Sequence, residues 1–287
     1  MRSFISDENW ILNEGIYYYQ DSSVDTAFND KQQDEWFGLD SSSWWFEYRA
    51  KVIKTVIMRY FSLDRVIIDI GGGNGFTAHE VMNVGYDVAL LEPSKGACFN
   101  SRKRGIRSVY CGPLTDNGIV DETIESAMLL DVLEHIKDDG HFLGLLNRKM
   151  KENGRVVITV PGFMSLWSSE DVSGGHFRRY QKDDLIELAE LCGFRVMYCS
   201  YFMSFLYLPV LIIRVWFERI GLIKRREHRS SEEKMTIRKK QFEKKKGIIG
   251  SFLLLLEKIE LKKLESGGVP FGSSIVMVLE KEMRLID

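Results

Sequence analysis

Proline and cysteine are scarce in this chain, and neither sign of charge predominates. Its 287 residues include five prolines and four cysteines, and the formal net charge is -2. The cysteines have no C-x-x-C spacing, so thioredoxin-type and zinc-ribbon motifs are excluded and free thiols in a reducing compartment are expected. The near balance of charge gives no bulk attraction to nucleic acid. We therefore expect no nucleic acid partner.

Export signals and metal-ligand patterns are also missing. The N-terminal residues lack the long apolar stretch of a signal peptide, so the expected location is the cytoplasm. No metal is expected, because none of the five histidines forms an i, i+4 ligand pair with another. These histidines are His79, His135, His141, His176 and His228.

Apolar segments of strand type alternate with segments of helical period along most of the chain. With 45% hydrophobic residues, 287 residues can bury one large core. The alternation predicts an α/β fold with a parallel, doubly wound sheet. A helix is predicted over 44–61. The predicted strands are 66–70, 87–92, 106–111, 126–130, 155–160, 195–200 and 273–279.

The most informative segment is 66–75, a β-branched apolar run that ends in Asp69 and then opens into glycines. Gly71, Gly73 and Gly75 would let the backbone turn sharply and approach a ligand closely. A dinucleotide fingerprint, G-x-G-x-x-G, would need a third glycine at the position of Phe76. The loop therefore predicts a nucleoside cofactor but departs from the strict dinucleotide pattern.

The pattern Asp69-x-Gly71-x-Gly73-x-Gly75 resembles the first motif of class I S-adenosylmethionine-dependent methyltransferases. Residues 85–94 resemble that family's second strand, and Glu92 stands at its end, where a carboxylate can accept hydrogen bonds from both ribose hydroxyls. The resemblance implies a Rossmann-like sheet of seven strands, six parallel and the seventh antiparallel beside the fifth. It implies S-adenosyl-L-methionine as cofactor and S-adenosyl-L-homocysteine as product.

The resemblance continues at the later strands and implies further site residues. Segment 129–135 resembles the fourth strand and following turn in small-molecule methyltransferases, which would put Asp131 beside the cofactor and Glu134 and His135 at the acceptor pocket. The expected cofactor residues are Asp69, Gly71, Gly72, Gly73, Gly75, Glu92, Pro93, Leu114, Asp131 and Arg49.

Arg49 and His176 lie in segments that resemble a bacterial subgroup of the family associated with lipid or glycan biosynthesis. A guanidinium fork matches a carboxylate, so Arg49 is a candidate partner of the methionine carboxylate, with an ordinary surface arginine as the alternative. His176 and His135 are the candidate general bases for an O–H acceptor, and structural histidines are the alternative. A small-molecule, lipid or glycan acceptor is implied.

Two parts of the chain fall outside the resemblance. Residues 1–43 have no clear period and are expected to form a lid, and 201–268 are expected to form a helical insertion in a core of 44–200 and 269–287. The insertion has two apolar segments around a basic stretch, 224–246, with eleven Lys or Arg against four Glu. It predicts either peripheral membrane contact through 201–264 or a helical cap that packs on itself or joins a homodimer.

Two other functions remain open at this point. A nicotinamide-dependent oxidoreductase shares the strand, the glycine loop and the terminal acid. A catalytically silent methyltransferase fold could act as a scaffold and would bind cofactor without turnover.

Overall fold

The computed structural model describes residues 4–20, 30–221 and 247–283, and a nine-stranded sheet forms its centre. The strands lie in the order β1-β2-β5-β4-β3-β6-β7-β9-β8. They are β1 (Trp10–Asn13), β2 (Ile16–Tyr19), β3 (Ile67–Ile70), β4 (Val88–Glu92), β5 (Ser108–Cys111), β6 (Ile124–Leu130), β7 (Met150–Pro161), β8 (Phe194–Phe202) and β9 (Ser274–Lys281).

Seven of these strands correspond to the seven predicted ones, and the mixed α/β architecture is confirmed. Strands β3 to β7 pair in parallel. Strand β9 lies antiparallel between β7 and β8, in register from Arg155 opposite Glu280 to Pro161 opposite Ser274. The carboxyl ends of β3, β4 and β6 therefore meet at one edge of the sheet, where ligands bind in open α/β folds.

The prediction of seven strands was wrong, because an N-terminal hairpin adds two more. Strand β2 pairs in parallel with β5, with Ile16 opposite Val109. The turn uses Glu14 and Gly15, both at positive φ, and the ring of Tyr17 stacks on Tyr110 at 4.9 Å. Strand β1 buries only its first residue. Such a short edge strand shows no alternation of apolar and polar residues, so its sequence carries no strand signal.

Helices cover both faces of the sheet, and the core has a layer on each side. The predicted helix 44–61 is present as α2, which begins at the capping residue Ser43 and buries Val52, Ile53 and Val56. The helices of this part of the chain are α1 (Asp30–Asp40), α2 (Trp44–Tyr60), α3 (Phe76–Met82), α4 (Lys95–Lys103), α5 (Asp139–Lys149), α6 (Ser169–Gly174) and α7 (Lys182–Leu191).

The insertion between β8 and β9 is helical where it is described. Helix α8 (Ser204–Val210) continues through a π-helical turn (Leu211–Trp216) into α9 (Phe217–Arg219), and α10 (Gly247–Ser266) leads back to the sheet. The predicted basic stretch 224–246 lies outside the described residues. Among the helices that are described, none combines the length and apolar character needed to cross a membrane.

A buried carboxylate attaches α10 to the rest of the fold. Glu260 accepts hydrogen bonds from the Tyr48 hydroxyl at 2.5 Å and from the backbone N–H groups of Met203 and Ser204 at 2.6 and 2.7 Å. Lys51 of α2 also binds Glu257, one turn earlier on α10, at 2.9 Å. One face of α10 is therefore packed against α2 and the start of α8.

Candidate active site

The glycine loop joins the end of β3 to α3 and is held in a left-handed conformation. Gly71, Gly73 and Gly75 have φ values of 71°, 54° and 72°, which residues with a Cβ rarely adopt. A Cβ at Gly72 would lie 2.3 Å from Asp69 Oδ2, whereas a Cβ at Gly73 would meet nothing within 4 Å. The loop backbone is thus packed against β3 at Gly72 and open at Gly73, as close approach of a ligand requires.

Asp69 lies under this loop and is almost completely buried. Its Oδ1 atom has no hydrogen-bond partner within the described part of the chain. Burial raises the pKa of Asp69 to about 7, with the charge of Glu92 adding to the rise and that of Arg49 opposing it. A buried carboxylate oxygen without a partner is costly, so Asp69 fits a site that receives a polar or cationic ligand group.

Glu92 ends β4 and braces the same loop. Its two carboxylate oxygens accept hydrogen bonds from Gly73 N at 3.0 Å and from Ser94 N at 2.8 Å. Burial raises the pKa of Glu92, and the two hydrogen bonds oppose that rise. Each oxygen has a further lone pair for a ligand hydroxyl. Together with the open backbone at Gly73, this arrangement fits the ribose of a nucleoside cofactor.

Two further predicted cofactor residues lie beyond Glu92. Pro93 is partly exposed, and Leu114 is 7% exposed in the segment after β5. The N-terminal hairpin packs on this segment, since a Cβ at Gly112 would lie 2.6 Å from Tyr19 Cβ, and Trp10 Nε1 donates to Gly118 O at 2.8 Å. The hairpin therefore supports the segment in which Leu114 is predicted to contact the cofactor.

Arg49 and Asp131 form a pair at the other end of the loop. Arg49 Nη2 contacts Asp131 Oδ2 at 2.9 Å and donates to Thr159 Oγ1 at 2.9 Å, and Thr159 Oγ1 donates to Asp131 Oδ1 at 2.8 Å. Asp131 has a positive φ of 55°, an uncommon conformation for a residue with a side chain. The Arg49 guanidinium, predicted to receive a methionine carboxylate, already binds a carboxylate of the protein itself through Nη2.

His135 and His176 meet at the predicted acceptor pocket, although 40 residues separate them in the sequence. Their rings are perpendicular with centroids 4.8 Å apart. His135 follows β6, in the 3-10 turn Leu133–His135, and His176 follows α6. Burial and the neighbouring His176 lower the pKa of His135 to about 4, so His135 is neutral near pH 7.

Asp171 orients His176. Asp171 Oδ1 lies 3.0 Å from His176 Nδ1, and Arg179 binds both oxygens of Asp171 at 2.8 and 3.1 Å. Although burial favours the neutral acid, the hydrogen bonds and charge of His176 and Arg179 hold the pKa of Asp171 below its usual value. An ionised Asp171 therefore accepts a hydrogen bond from Nδ1–H of His176 and leaves Nε2 of His176 for chemistry.

Glu134 lies beside the two histidines and is 1% exposed. Phe177 N donates to its backbone carbonyl at 2.8 Å, which ties the turn after β6 to the loop after α6. Its Oε2 atom has no hydrogen-bond partner within the described residues. Burial and the charge of Asp131 raise the pKa of Glu134 well above its usual value.

The structure brings the predicted residues together in two groups and adds three that the sequence analysis missed. Asp69, the glycines, Glu92 and Leu114 form the group at the glycine loop, where the cofactor is predicted. The pair of Arg49 and Asp131 lies between this group and the two histidines. The missed residues are Thr159, Asp171 and Arg179. Asp171 and Arg179 flank His176 in the sequence, so their charge was the available signal, whereas Thr159 is an ordinary strand residue.

A doubly wound sheet with a glycine loop after its first core strand and an acid after the next defines a nucleoside-cofactor enzyme of the Rossmann-like class. A family model described as "Methyltransferase domain" matches residues 45–198. The chain belongs to this methyltransferase family, and its cofactor is S-adenosyl-L-methionine.

Curated relatives agree with the family. The chain is 24% identical over 162 residues to a probable S-adenosylmethionine-dependent methyltransferase of Mycolicibacterium smegmatis, covering 55% of this chain and 62% of that protein. It is 25% identical over 125 residues to a ubiquinone biosynthesis O-methyltransferase of Azorhizobium caulinodans, covering 39% of this chain and 49% of that protein. The chain thus spans less than two thirds of the length of these relatives.

Solved structures share the fold at low sequence identity. A Haemonchus contortus phosphoethanolamine N-methyltransferase in complex with S-adenosyl-L-methionine superposes with a TM-score of 0.55 at 16% identity, covering 93% of this chain and 62% of that one. A Thermotoga maritima methyltransferase described as a possible histamine N-methyltransferase gives 0.51 at 16% identity, covering 88% and 95%. The oxidoreductase and silent-scaffold alternatives are not favoured.

Proposed function

We propose that the chain methylates a hydroxyl group of a small-molecule, lipid or glycan acceptor. The observation that carries this proposal is the pair of histidines 4.8 Å apart on the acceptor side of Asp131. Bound S-adenosyl-L-methionine supplies a methyl group on a sulfonium, which an acceptor atom displaces in line. A hydroxyl acceptor also loses a proton, which is the role of a nearby base.

Donor binding is assigned to the loop and the residues around it. Glu92 accepts the ribose hydroxyls, because each of its oxygens keeps a lone pair after binding Gly73 N and Ser94 N. Asp69 orients the loop and binds the methionine amino group through water. The remaining cofactor residues of this proposal are Gly71, Gly72, Gly73, Gly75, Pro93, Leu114, Asp131 and Arg49.

On the acceptor side, His176 is the better candidate for the base. The hydrogen bond to ionised Asp171 holds its ring and leaves Nε2 for the acceptor proton. The low pKa of His135, about 4, makes it the weaker proton acceptor near neutral pH. In this proposal His135 positions the acceptor and His176 takes its proton.

A methyl-transfer screen tests the proposal. Radiolabelled cofactor is incubated with the protein and with lipid, glycan and quinone-like acceptors that carry either hydroxyl or amino groups, and Gly73→Arg serves as the blank. We expect label in at least one hydroxyl acceptor with the wild type and none with the blank. Transfer to amine acceptors alone would contradict the proposal. Calorimetry with S-adenosyl-L-homocysteine and NAD separates a methyltransferase from an oxidoreductase.

Residues 1–43 are proposed to include a lid over the donor side. Helix α1 lies against α4, where Arg104 binds Asp40 at 2.6 Å and donates to Asn74 O at 3.0 Å. Asn74 in turn donates to Gln33 O at 2.8 Å. Since Asn74 belongs to the glycine loop, α1 is coupled directly to the segment that holds the cofactor.

The helical insertion is proposed to contact an anionic membrane surface. Its large apolar side chains are exposed on both described segments, including Leu208 at 61%, Trp216 at 62%, Ile220 at 65% and Phe252 at 57%. The basic stretch 224–246 joins these segments in the sequence and complements anionic lipid headgroups. In this proposal the enzyme binds the membrane surface through the insertion and takes its acceptor from the membrane.

Liposome flotation tests the membrane proposal. We expect the wild type to float with anionic vesicles and much less with neutral ones. The triple variant Ile213→Ser, Trp216→Ser, Ile220→Ser should not float with the vesicles, whereas Leu63→Ser, which changes an exposed apolar residue outside the insertion, should float normally. Flotation unaffected by the triple variant would refute this surface, and a concentration-dependent dimer lost in that variant would assign it to self-association instead.

A further inference from the structure

We propose that Glu134, His135 and His176 form a binding site for a divalent transition-metal ion of the Zn²⁺ type. Each residue offers one ligand atom, and these atoms all lie within 4.8 Å of one another. Two ligands that are each about 2.1 Å from one ion lie at most about 4.2 Å apart. Small rotations of the two partly exposed imidazoles would therefore bring all three atoms into coordination distance.

The chemistry of the three donors suits such an ion. Two imidazole nitrogens and one carboxylate oxygen are a ligand set of catalytic zinc sites and of other divalent first-row metals. Three protein ligands leave at least one coordination position open. A site of this kind accepts a further oxygen ligand, from water or from a hydroxyl or carboxylate group of another molecule.

An independent observation at Glu134 indicates a missing partner. The side chain is 1% exposed, and its Oε2 atom lacks a hydrogen-bond partner within the described residues. Native proteins rarely leave a buried carboxylate oxygen in this state, and an ion is one of the groups that satisfy it. The Phe177 N to Glu134 O hydrogen bond also keeps this residue next to the segment that carries His176.

The surroundings of His176 match those of a metal-ligating histidine. Such a histidine usually gives its other ring N–H to a carboxylate, which fixes its tautomer and orientation. Asp171 occupies this position at 3.0 Å from Nδ1 and is itself fixed by the fork of Arg179. Asp171 is only 1% exposed, so the orienting carboxylate is built into the protein.

The consequence for the reaction rests on the proposed function, whereas binding of the ion does not. The role of base proposed for His176 applies to the ion-free site. With the ion bound, His176 would be a ligand instead, and the ion would lower the pKa of an acceptor hydroxyl at the open position, whose proton would pass to water. The acceptor class narrows to molecules with a hydroxyl that can reach Glu134, His135 and His176.

Metal titration of the full chain tests the site directly. Protein treated with a chelator and desalted is titrated with Zn²⁺ by calorimetry and with Co²⁺ by visible spectroscopy. We expect one equivalent to bind, with a Co²⁺ spectrum of nitrogen and oxygen ligands. Glu134→Gln and His176→Gln should weaken binding by at least about tenfold, and Asp171→Asn by about 10-fold to 100-fold. His141→Gln, at an exposed histidine of α5, is the matched control.

Binding of S-adenosyl-L-homocysteine is measured on the same samples. Normal product binding by Glu134→Gln and His176→Gln would show that they fold, so that weaker metal binding reports the site itself. The inference is overturned if the wild type binds no ion, if both variants bind it as the wild type does, or if Co²⁺ shows a thiolate charge-transfer band from cysteine. If the metal-loaded wild type binds the ion but does not bind S-adenosyl-L-homocysteine, the proposed function is refuted and the metal site is not.

Discussion

The proposed donor side and the proposed acceptor side of this site are built by different means. On the donor side, a short glycine loop presents backbone groups, and two carboxylates at the ends of adjacent parallel strands, Asp69 and Glu92, support it. On the acceptor side, side chains from two loops meet, with Glu134 and His135 after β6 and Asp171 and His176 around α6. Backbone geometry forms the first region and tertiary packing forms the second.

This difference separates donor affinity from turnover. Changes in the loop should act on cofactor binding, because they alter the surface that the cofactor occupies. Changes in the histidine cluster should act on the chemical step and leave cofactor affinity unchanged. This division would be wrong if a change in either region altered both cofactor affinity and kcat.

The largest effect is expected for Gly73→Arg. Position 73 has a φ of 54° and faces open space, so an arginine would strain the loop and fill the space left for the cofactor. Calorimetry should show affinity for S-adenosyl-L-homocysteine reduced by at least about a thousandfold. Gly247→Arg is the matched control, because Gly247 also has a positive φ, 69°, and open surroundings. Normal product binding by Gly73→Arg would refute the loop assignment.

His176→Gln should reduce kcat by about a hundredfold, the lower range for a group that assists proton removal. Because His176 lies on the acceptor side, the affinity for S-adenosyl-L-homocysteine should stay within about twofold of the wild type. Steady-state kinetics and calorimetry measure the two quantities, and His141→Gln controls for the loss of a histidine. A large loss of affinity for S-adenosyl-L-homocysteine would show that the histidine cluster also contributes to cofactor binding, which contradicts the division into two regions.

Glu92→Gln should weaken product binding by about ten- to a hundredfold, since a charge-assisted hydrogen bond contributes about 1.5–3 kcal/mol. The amide can accept from only one of Gly73 N and Ser94 N, which leaves the other N–H facing an NH₂ group. Once cofactor saturates the protein, kcat should change much less. Glu80→Gln, on α3, is the control. A kcat defect that persists at saturation would assign Glu92 a role beyond binding.

Asp69→Asn should have the smallest effect and should act on stability. The pKa of about 7 in the folded protein exceeds the ordinary value of 3.8 for an aspartate, so the stabilisation from protonated Asp69 is present below pH 4 and lost as pH rises through 7. The Tm of cofactor-free Asp69→Asn should therefore exceed that of wild type by several degrees at pH 8 and by less at pH 5.

Thermal unfolding at both pH values measures this difference. Exposed Asp87→Asn is the control for the loss of one carboxylate. A Tm advantage of Asp69→Asn that is equal at pH 5 and pH 8 would mean that Asp69 does not titrate as a buried group.

Much of the core fold was readable in the sequence because its strands are short, buried and β-branched, and because the glycines stand directly after one of them. The hairpin of β1 and β2 was not, since its strands take their register from contacts with Tyr110 and the segment 112–118. The role of Glu260 as a buried acceptor for Tyr48 and Met203 likewise depends on residues more than fifty positions away.

The cofactor loop and the class of enzyme follow from the chain's local chemistry. A buried strand, an acid and alternate glycines favour one backbone conformation, so segment 66–75 and Glu92 predict a nucleoside-cofactor site before the fold is known, and the family resemblance makes that cofactor a methyl donor. The Glu134, His135 and His176 cluster has no such local signature. Its three side chains converge because parallel strands end at the same edge of the sheet and because Asp171 orients His176, and both conditions exist only after folding.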